Sequence, residues 1–241
     1  MSFLLSGTRG DATSNGVVLQ YFGTEFEELS NVWPDDTGTQ DMDISGGPIE
    51  TALSDSSQAV GFDGVDDVGE TTAPPNLEGA SLQSFSVEFA FQTTSEATDQ
   101  PTLTGSNNDT DDQSLLVQIN RDEGFSFESG NFIFRLQDAA GSSVRCSPSA
   151  NPNINDGTRH DLSIIINDAS ANDVEIVLDG SNLDLAFGAT ESPSNFGTWE
   201  QPIATSAFQF AGSLQQYLEC DIGAIRWHDE AIQEQTISDY E

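Results

Sequence analysis

The stretch Phe85-Ser-Val-Glu-Phe-Ala-Phe-Gln92 decides the fold class, because its large apolar residues fall on every second position. In an extended chain, successive side chains point to opposite sides. The three phenylalanines and the valine therefore share one face, and Ser86, Glu88 and Ala90 share the other. This alternation predicts a half-buried β-strand, with the aromatic face turned towards a core.

Similar alternation recurs along most of the chain, and turn residues separate the segments. The predicted strands are Val17–Phe22, Leu115–Ile119, Asn131–Gln137, Ser143–Ser147, Asp161–Asn167, Val174–Asp179, Leu183–Phe187, Ala207–Phe210 and Glu219–Trp227. Asp179-Gly180-Ser181-Asn182 is typical of a hairpin between two of them, and Asp138–Gly141 of another. Asp156-Gly157 precedes the Asp161 strand.

Many short strands with almost no helical pattern predict an all-β fold, a two-sheet antiparallel jelly-roll sandwich. The only helix-like spacing lies at Ala231, Ile232, Gln235 and Ile237, which predicts a short C-terminal helix. No linker-like run divides the chain, so we expect a single domain over residues 1–241. Residues 31–58, 94–113 and 188–202 are predicted to be long loops, and loops of that length often bind ligands.

The charge of the chain is extreme: 41 acidic residues stand against six basic ones, for a net charge of −35, and all six basic residues are arginines. Their scattered positions exclude a basic face for nucleic acid or anionic lipid. Self-repulsion of this size weakens a compact state unless salt screens it. We therefore predict an extreme halophile as the source, with a merely acidic mesophilic protein as the alternative.

The sequence carries no membrane-spanning or secretory pattern. No segment approaches the roughly 18 consecutive apolar residues that cross a bilayer, so no membrane insertion is expected. The apolar run at residues 3–5 is too short for a signal peptide. Cys146 and Cys220 lack the spacing of a zinc site, and either one disulfide or, as we favour, two buried thiols fits them.

Three phrases resemble the laminin-G-like branch of the concanavalin A-like lectin/glucanase superfamily. They are Ala59-Val-Gly-Phe-Asp-Gly-Val-Asp-Asp67, then Asp156–Ile166 followed by Val174–Gly180, and finally Asp221–Ile232. Their order and spacing match over residues about 17 to 240. The resemblance implies a jelly roll whose concave face or rim loops bind sugars, frequently with calcium. It implies no particular activity, since this scaffold hosts lectins, structural proteins and hydrolases.

Two acidic groups are candidate calcium ligands. Asp63 and Asp66, together with Asp67, belong to the first phrase, and the resemblance favours them. Asp109, Asp111 and Asp112 offer a second set of the hard oxygen ligands that calcium prefers. Because acidic residues are so abundant here, both groups are also explained as solvated loops.

Sugar recognition needs an aromatic face beside side chains that hydrogen-bond to hydroxyl groups. Trp199 is the leading candidate, since Asn195, Phe196 and Glu200 lie near it in a predicted loop. Trp33 is the second candidate. Each tryptophan is equally well explained as an anchor that holds its loop against the sandwich.

No catalytic residue is predicted. Glu219-Cys-Asp221 supplies two carboxylates at strand spacing, but Ala224 stands where related glucanases carry the third acid of Glu-x-Asp-x-x-Glu. His160 and His228 are interpreted as structural or surface residues, because no Gly-x-Ser-x-Gly elbow accompanies them.

The leading hypothesis is a non-enzymatic, lectin-like module on a virion surface or tail, which attaches to host surface glycans or glycoproteins. A virion protein can act outside the cell although it is synthesised without a signal peptide; the cytoplasm of a halophile is the alternative location. The rival functions are a purely structural decoration or assembly protein, with other virion proteins or further copies of itself as partners, and a glycoside hydrolase.

Overall fold

Two antiparallel β-sheets make up the described part of the molecule. The structure, a computed structural model, describes residues 17–26, 31–37, 41–71, 84–98, 102–107, 114–122, 124, 126–137, 141–189, 207–210, 217–228 and 230–232. Every strand pairing in these ranges is antiparallel. The all-β jelly-roll sandwich predicted from the alternation is therefore confirmed.

The strands and two short 3-10 turns follow one another along the chain. In order, they are β1 (Val17–Phe22), the turn Gly23–Glu25, β2 (Val32–Trp33), β3 (Met42–Ser45), β4 (Ile49–Ala52), β5 (Gln58–Asp63), β6 (Val68–Thr71), β7 (Phe85–Gln92), β8 (Thr102–Asn107), β9 (Ser114–Arg121), β10 (Phe127–Gln137), β11 (Ser143–Pro148), β12 (His160–Asp168), the turn Ala169–Ala171, β13 (Asp173–Leu178), β14 (Ser181–Asn182), β15 (Leu185–Phe187), β16 (Ala207–Phe210) and β17 (Glu219–His228).

The first sheet, called sheet A, has the order β14-β13-β12-β7-β17-β5-β4. Two strands share the same edge of β17: β5 pairs with its first half, Glu219 to Ile222, and β1 pairs with Ala224 to His228. The second sheet, sheet B, has the order β15-β11-β10-β9-β8-β16-β6-β3-β2. One apolar core joins residues of both sheets.

The aromatic face of β7 lies in that core, as its alternation predicts: Phe85, Phe89 and Phe91 are fully buried. The prediction that the other face of β7 lies in water is wrong. Ser86 and Glu88 are also fully buried. Sheet A is therefore covered on its outer face as well, at least along β7.

An apolar contact covers one part of this outer face. Leu53, at the turn between β4 and β5, packs with Ala59, Ala90 and Ala224, and Phe22 lies against them. The turn holds its shape through the Ser57 carbonyl, which accepts a hydrogen bond from the Leu53 amide at 2.9 Å. The hairpin thus carries a leucine onto a surface that the sequence pattern assigns to solvent.

A hydrogen-bonded charge network, called the Glu88 network, covers the neighbouring part. Arg226 Nη1 lies 3.3 Å from Glu88 Oε2, and His228 Nε2 lies 2.9 Å from the same oxygen. Ser163 Oγ donates to Glu88 Oε1 at 3.2 Å, and Arg226 Nε donates to Gln20 Oε1 at 2.8 Å. The network ties β1, β7, β12 and β17 together, and it confirms a structural role for His228.

Two predicted loops contain strands. Residues 31–58 include β2, β3 and β4, and residues 94–113 include β8. β2 has only two residues, and β4 is exposed at three of its four positions, so neither strand shows a buried apolar alternation. Of the predicted C-terminal helix, Ala231 and Ile232 have no helical structure, and Gln235 and Ile237 lie outside the described residues.

The predicted hairpin at Asp179–Asn182 exists, with both Asp179 and Gly180 at positive φ (51° and 72°). Its second strand is the short β14, however, and not the segment 183–187. That segment crosses to sheet B, where β15 pairs with β11.

Both cysteines are buried free thiols, as favoured from the sequence: Cys146 lies in sheet B and Cys220 in sheet A. Burial raises the pKa of the Cys146 thiol to about 12, so it is protonated at neutral pH. Within the described ranges, no helix has the length and apolar character needed to span a bilayer.

Candidate functional site

One end of sheet A forms an open groove of about 480 Å³, called the acidic groove. It is lined by Gly46, Gly47, Ile49, Gly61, Phe62, Asp63, Asp67, Gln92, Thr93, Thr94, Gly157, Glu219, Cys220 and Asp221. Three strand ends meet there, because the start of β17 lies between the ends of β5 and β7. The volume falls in the range of small-molecule sites, about 300–1,000 Å³.

The pleat of β17 places two carboxylates on the same face of the sheet. Glu219 and Asp221 are two residues apart, and Cys220 between them enters the core. Gly61 lies opposite Asp221 in the pairing with β5. A Cβ atom at Gly61 would lie 2.9 Å from Asp221 Oδ1, so glycine leaves this carboxylate its space.

The Asp221 carboxylate is half-buried and is oriented by a neighbouring amide. Gln92 Nε2 donates to Asp221 Oδ2 at 2.7 Å, and the Ser54 amide donates to Gln92 Oε1 at 2.7 Å. Burial raises the pKa of Asp221, although the hydrogen bond from Gln92 partly offsets the effect. Asp221 Oδ1 accepts no hydrogen bond from the described residues and is left for a ligand.

Thr93 closes the floor of the groove. Its hydroxyl donates to the Glu219 carbonyl at 2.6 Å and accepts the Ser95 amide at 3.0 Å. The hydroxyl is therefore used within the protein and holds the β7 end against the start of β17.

The turn after β5 gathers three carboxylates beside the groove. One ligand atom each of Asp63, Asp66 and Asp67 lies within 4.8 Å of the others. Asp63 Oδ1 accepts the Val65 amide at 2.8 Å, and Asp67 Oδ2 accepts the Asp63 amide at 2.9 Å. Burial raises the pKa of Asp67, and the charges of Asp63 and Asp66 raise it further, against the hydrogen bond from the Asp63 amide.

This turn is compatible with the calcium prediction for Asp63 and Asp66. Three hard carboxylates in reach of one point are the donors that calcium takes, and each of Asp63 and Asp67 keeps one oxygen that no backbone amide uses. Calcium binding itself stays a prediction. The second predicted set, Asp109, Asp111 and Asp112, lies outside the described residues.

Trp33 is not available to a sugar, which corrects the ligand-binding prediction for this residue. Its side chain is fully buried, and its Nε1 donates to the Phe22 carbonyl at 2.6 Å. The rings of Tyr21 and Phe26 lie 5.8 and 6.5 Å from the indole, centroid to centroid. Trp33 is therefore the anchor that the alternative interpretation describes. Trp199, Asn195, Phe196 and Glu200 lie outside the described residues.

His160 supports the rim of the groove from behind. Its Nδ1 lies 2.9 Å from Asp179 Oδ2, and its Nε2 lies 3.3 Å from Asp156 Oδ1. Burial lowers the pKa of His160, but the hydrogen bonds and charges of the two aspartates outweigh it and raise the pKa overall. The contact ties the residue before Gly157 of the groove to the β13–β14 turn, so His160 is structural, as predicted.

The groove contains residues that the sequence did not single out, above all Gln92 and Thr93. Gln92 is the last residue of the most obvious strand, and the register of β7 against β17 brings it opposite Asp221. A pairing register is not visible in one strand alone, so no local signal identifies this contact.

Comparison with solved structures finds the same fold in the binding domains of clostridial toxins. The binding domain of Paraclostridial Mosquitocidal Protein 1 is 13% identical with a TM-score of 0.66, covering 94% of this chain and 51% of that one. The binding domain of botulinum neurotoxin DC, solved with rat synaptotagmin II, is 14% identical with a TM-score of 0.57 (91% and 49% covered).

The same neurotoxin domain in complex with SialylT is 15% identical with a TM-score of 0.58 (91% and 49% covered). This chain thus spans about half the length of these structures. At such identities the likeness establishes the fold alone. No family model and no curated protein matches the sequence.

Proposed function

We propose that this chain is a non-enzymatic carbohydrate-binding module that works outside the cell in concentrated salt, and that the acidic groove is its binding site. The observation that carries the proposal is the groove itself, where free carboxylate oxygens of Asp221 and Glu219 face a ligand-sized space. Sugar hydroxyls donate to such oxygens. The solved domains of the same fold are described as binding domains, and one holds SialylT.

The composition supports the proposed environment. A net charge of −35 repels itself strongly in dilute buffer, whereas at about 1 M salt the Debye length falls to about 3 Å. We propose a halophilic source, and a virion surface or tail as the particle that carries the module to host glycans or glycoproteins. Capsid or tail genes beside its gene, and its peptides in purified virions, are the observations expected.

Binding to a glycan array in molar salt tests the proposal. The wild-type chain should retain a subset of glycans, and Asp221→Asn should weaken that binding at least tenfold. Asp173→Asn is the matched control, because Asp173 is an exposed carboxylate of β13 outside the groove. Absence of binding to any glycan, or equal binding by all three proteins, would contradict the proposal.

A glycoside hydrolase is the second candidate, since Glu219 and Asp221 line the same groove. Catalysis by two carboxylates needs both of them at the scissile bond. Release of reducing ends from a bound polysaccharide, lost in Glu219→Gln, would favour this candidate over simple binding.

An assembly protein is the third candidate, because Phe187 is 46% exposed on β15, the edge strand of sheet B. Apolar side chains on an edge strand favour contact with another chain. A defined oligomer by sedimentation that Phe187→Ser dissociates, together with no glycan binding, would favour assembly.

A further inference from the structure

The charge and hydrogen-bonding groups of the acidic groove restrict the chemistry of its ligand. Four carboxylates line it, from Asp63, Asp67, Glu219 and Asp221, and its described lining includes no arginine or histidine. The chain has no lysine at all. Among the described lining residues nothing balances this charge, which leaves salt or a cationic ligand to do so.

The side-chain donors of the groove are used up by the protein. Gln92 Nε2 donates to Asp221, and the Thr93 hydroxyl donates to the Glu219 carbonyl. Only the hydroxyl of Thr94, exposed at the rim, is left as a side-chain donor among the described lining residues. The acceptors remain: Asp221 Oδ1, the Glu219 carboxylate and one oxygen of Asp67. The groove therefore favours a ligand that donates several hydrogen bonds and accepts few.

Asp67 and Asp221 differ from the other acidic residues of the surface in that they are partly or fully buried. Surface carboxylates of a salt-adapted protein face water, but Asp67 is only 3% exposed and Asp221 is half-buried. A buried carboxylate without a cation is costly, because it loses hydration and gains no counter-charge. The raised pKa of Asp221 reflects this cost, and a cation beside Asp221 would remove it.

We propose that the acidic groove binds a sugar carrying a free ammonium group, which donates to Asp221 and Glu219 while the ring hydroxyls reach Asp67 and the rim. An ammonium has three donors and no acceptor, which matches the oxygens left open. This inference rests on the proposed carbohydrate-binding function and names the class of sugar. Gly61 serves it by leaving space next to Asp221 Oδ1, where a Cβ atom would intrude.

The experiment compares two probes with the same sugar backbone, one with a free amine on each sugar and one in which each nitrogen is acetylated and uncharged. Calorimetry measures binding of a glucosamine tetramer and of its fully N-acetylated counterpart, near pH 6 and in molar salt. At this pH an amino group is mostly in its protonated, ammonium form. Molar salt screens long-range attraction to the acidic surface, so only direct contact in the groove survives. We expect the glucosamine tetramer to bind at least tenfold more tightly.

Variants of the groove residues test whether the glucosamine tetramer binds at the acidic groove. Asp221→Asn should lower the affinity for the glucosamine tetramer at least tenfold and Glu219→Gln at least fivefold, and Asp173→Asn should leave it unchanged. Circular dichroism and the urea midpoint of each variant confirm that it is folded. Undiminished affinity in both folded groove variants would overturn the assignment of the site.

The remaining outcomes separate this inference from the proposed function. Equal binding of both tetramers, or preference for the N-acetylated one, overturns the ammonium requirement and leaves carbohydrate binding standing. If neither tetramer binds but another, neutral glycan does, the ammonium requirement is likewise overturned and carbohydrate binding stands. Failure of every glycan overturns both proposals. A tetralysine peptide forms a third arm: if it binds as tightly as glucosamine, the ammonium is recognised but the sugar is not.

Discussion

Strand β17 carries two kinds of charged site on one face of sheet A, and they differ in how charge is balanced. At its start, Asp221 and Glu219 face the acidic groove, whose lining residues in the described ranges include no arginine or histidine. Farther along, Arg226 and His228 meet Glu88, which is fully buried. The chain has few basic side chains, and two of them, Arg226 and His228, contact the same carboxylate, that of Glu88.

This difference distinguishes a carboxylate that supports the fold from one that is open to a ligand. A buried carboxylate that the protein balances itself is part of the scaffold, because its partners come from other strands of the sheet. A half-buried carboxylate that it leaves unbalanced costs stability, and such groups are typical of binding sites.

Loss of the cation from the Glu88 network should have the largest effect. Arg226→Met leaves Glu88 buried with less compensation, so we expect the free energy of unfolding to fall by about 3–5 kcal/mol. Urea unfolding in molar salt measures it. The double variant Glu88→Gln with Arg226→Met removes both charges and should recover part of the loss. If the single and double variants were equally unstable, the charge balance would not be the cause.

Neutralising the groove should affect binding and spare stability. Asp221→Asn should weaken glycan binding at least tenfold and change the free energy of unfolding by less than about 1 kcal/mol. Its folded pKa is raised, so ionisation already costs stability above the unfolded pKa, and removing the charge does not destabilise the fold. A loss of stability as large as that of Arg226→Met would erase the distinction between the two sites.

His160 predicts a pH dependence of stability. Its pKa is raised above the ordinary 6.5, so its contribution is fully present below that pH and is lost as the pH rises through the folded pKa. The pKa of Asp156 is lowered, mainly by the hydrogen bond from Thr158. Burial raises the pKa of Asp179, but the hydrogen bonds from His160 and Asp161 outweigh burial and lower it overall. Their contributions are lost as the pH falls below about 4 towards their folded pKa values.

The urea midpoint measured from pH 5.5 to pH 8.5 checks this dependence. The wild-type chain should lose about 1 kcal/mol or less over the range, since both aspartates are partly exposed. His160→Gln should flatten the decline. An unchanged slope in this variant would assign the pH dependence to another group.

The smallest effect is expected at the surface pair of Arg159 and Asp55, whose atoms lie 2.7 Å apart. The Ser57 hydrogen bonds and Arg159 hold the pKa of Asp55 at about 2, although its side chain is 45% exposed. Asp55→Asn should cost at most about 1 kcal/mol at low salt and almost nothing in molar salt. The loss in Arg226→Met should persist in molar salt, because buried pairs are screened far less.

Several strands could be predicted from the chain alone. Val17–Phe22 and Ala207–Phe210 have the predicted bounds, and β17 extends the prediction by one residue. The strands β2 and β4 are not predicted, since β2 has only two residues and β4 is exposed at three of its four positions. Of the candidate site, the sequence indicates Asp63 as a calcium ligand and Glu219-Cys-Asp221 as two acids at strand spacing, but it contains no signal for Gln92 or Thr93.

Trp33 illustrates why sequence proximity fails for binding sites. Its neighbours Pro34, Asp35 and Asp36 are typical of an exposed loop, yet its indole lies in the core against Tyr21 and Phe26. The direction of a side chain on a two-residue strand depends on which strand it pairs with. Here the pairing with Met42 of β3 turns Trp33 inward.

The antiparallel sandwich, the inward face of β7 and the net charge of −35 follow from the amino-acid sequence without reference to the tertiary structure, because alternation and charge are local or additive properties. The tertiary structure alone decided which carboxylates are balanced. In the alternation pattern, Glu88, Asp221 and Glu219 all lie on the outer face of their strands. The register of β7, β17 and β5 places Arg226 next to Glu88, and it places Asp221 and Glu219 at the open groove. Electrostatic energy depends on distance and burial, and both are set by how distant strands pair.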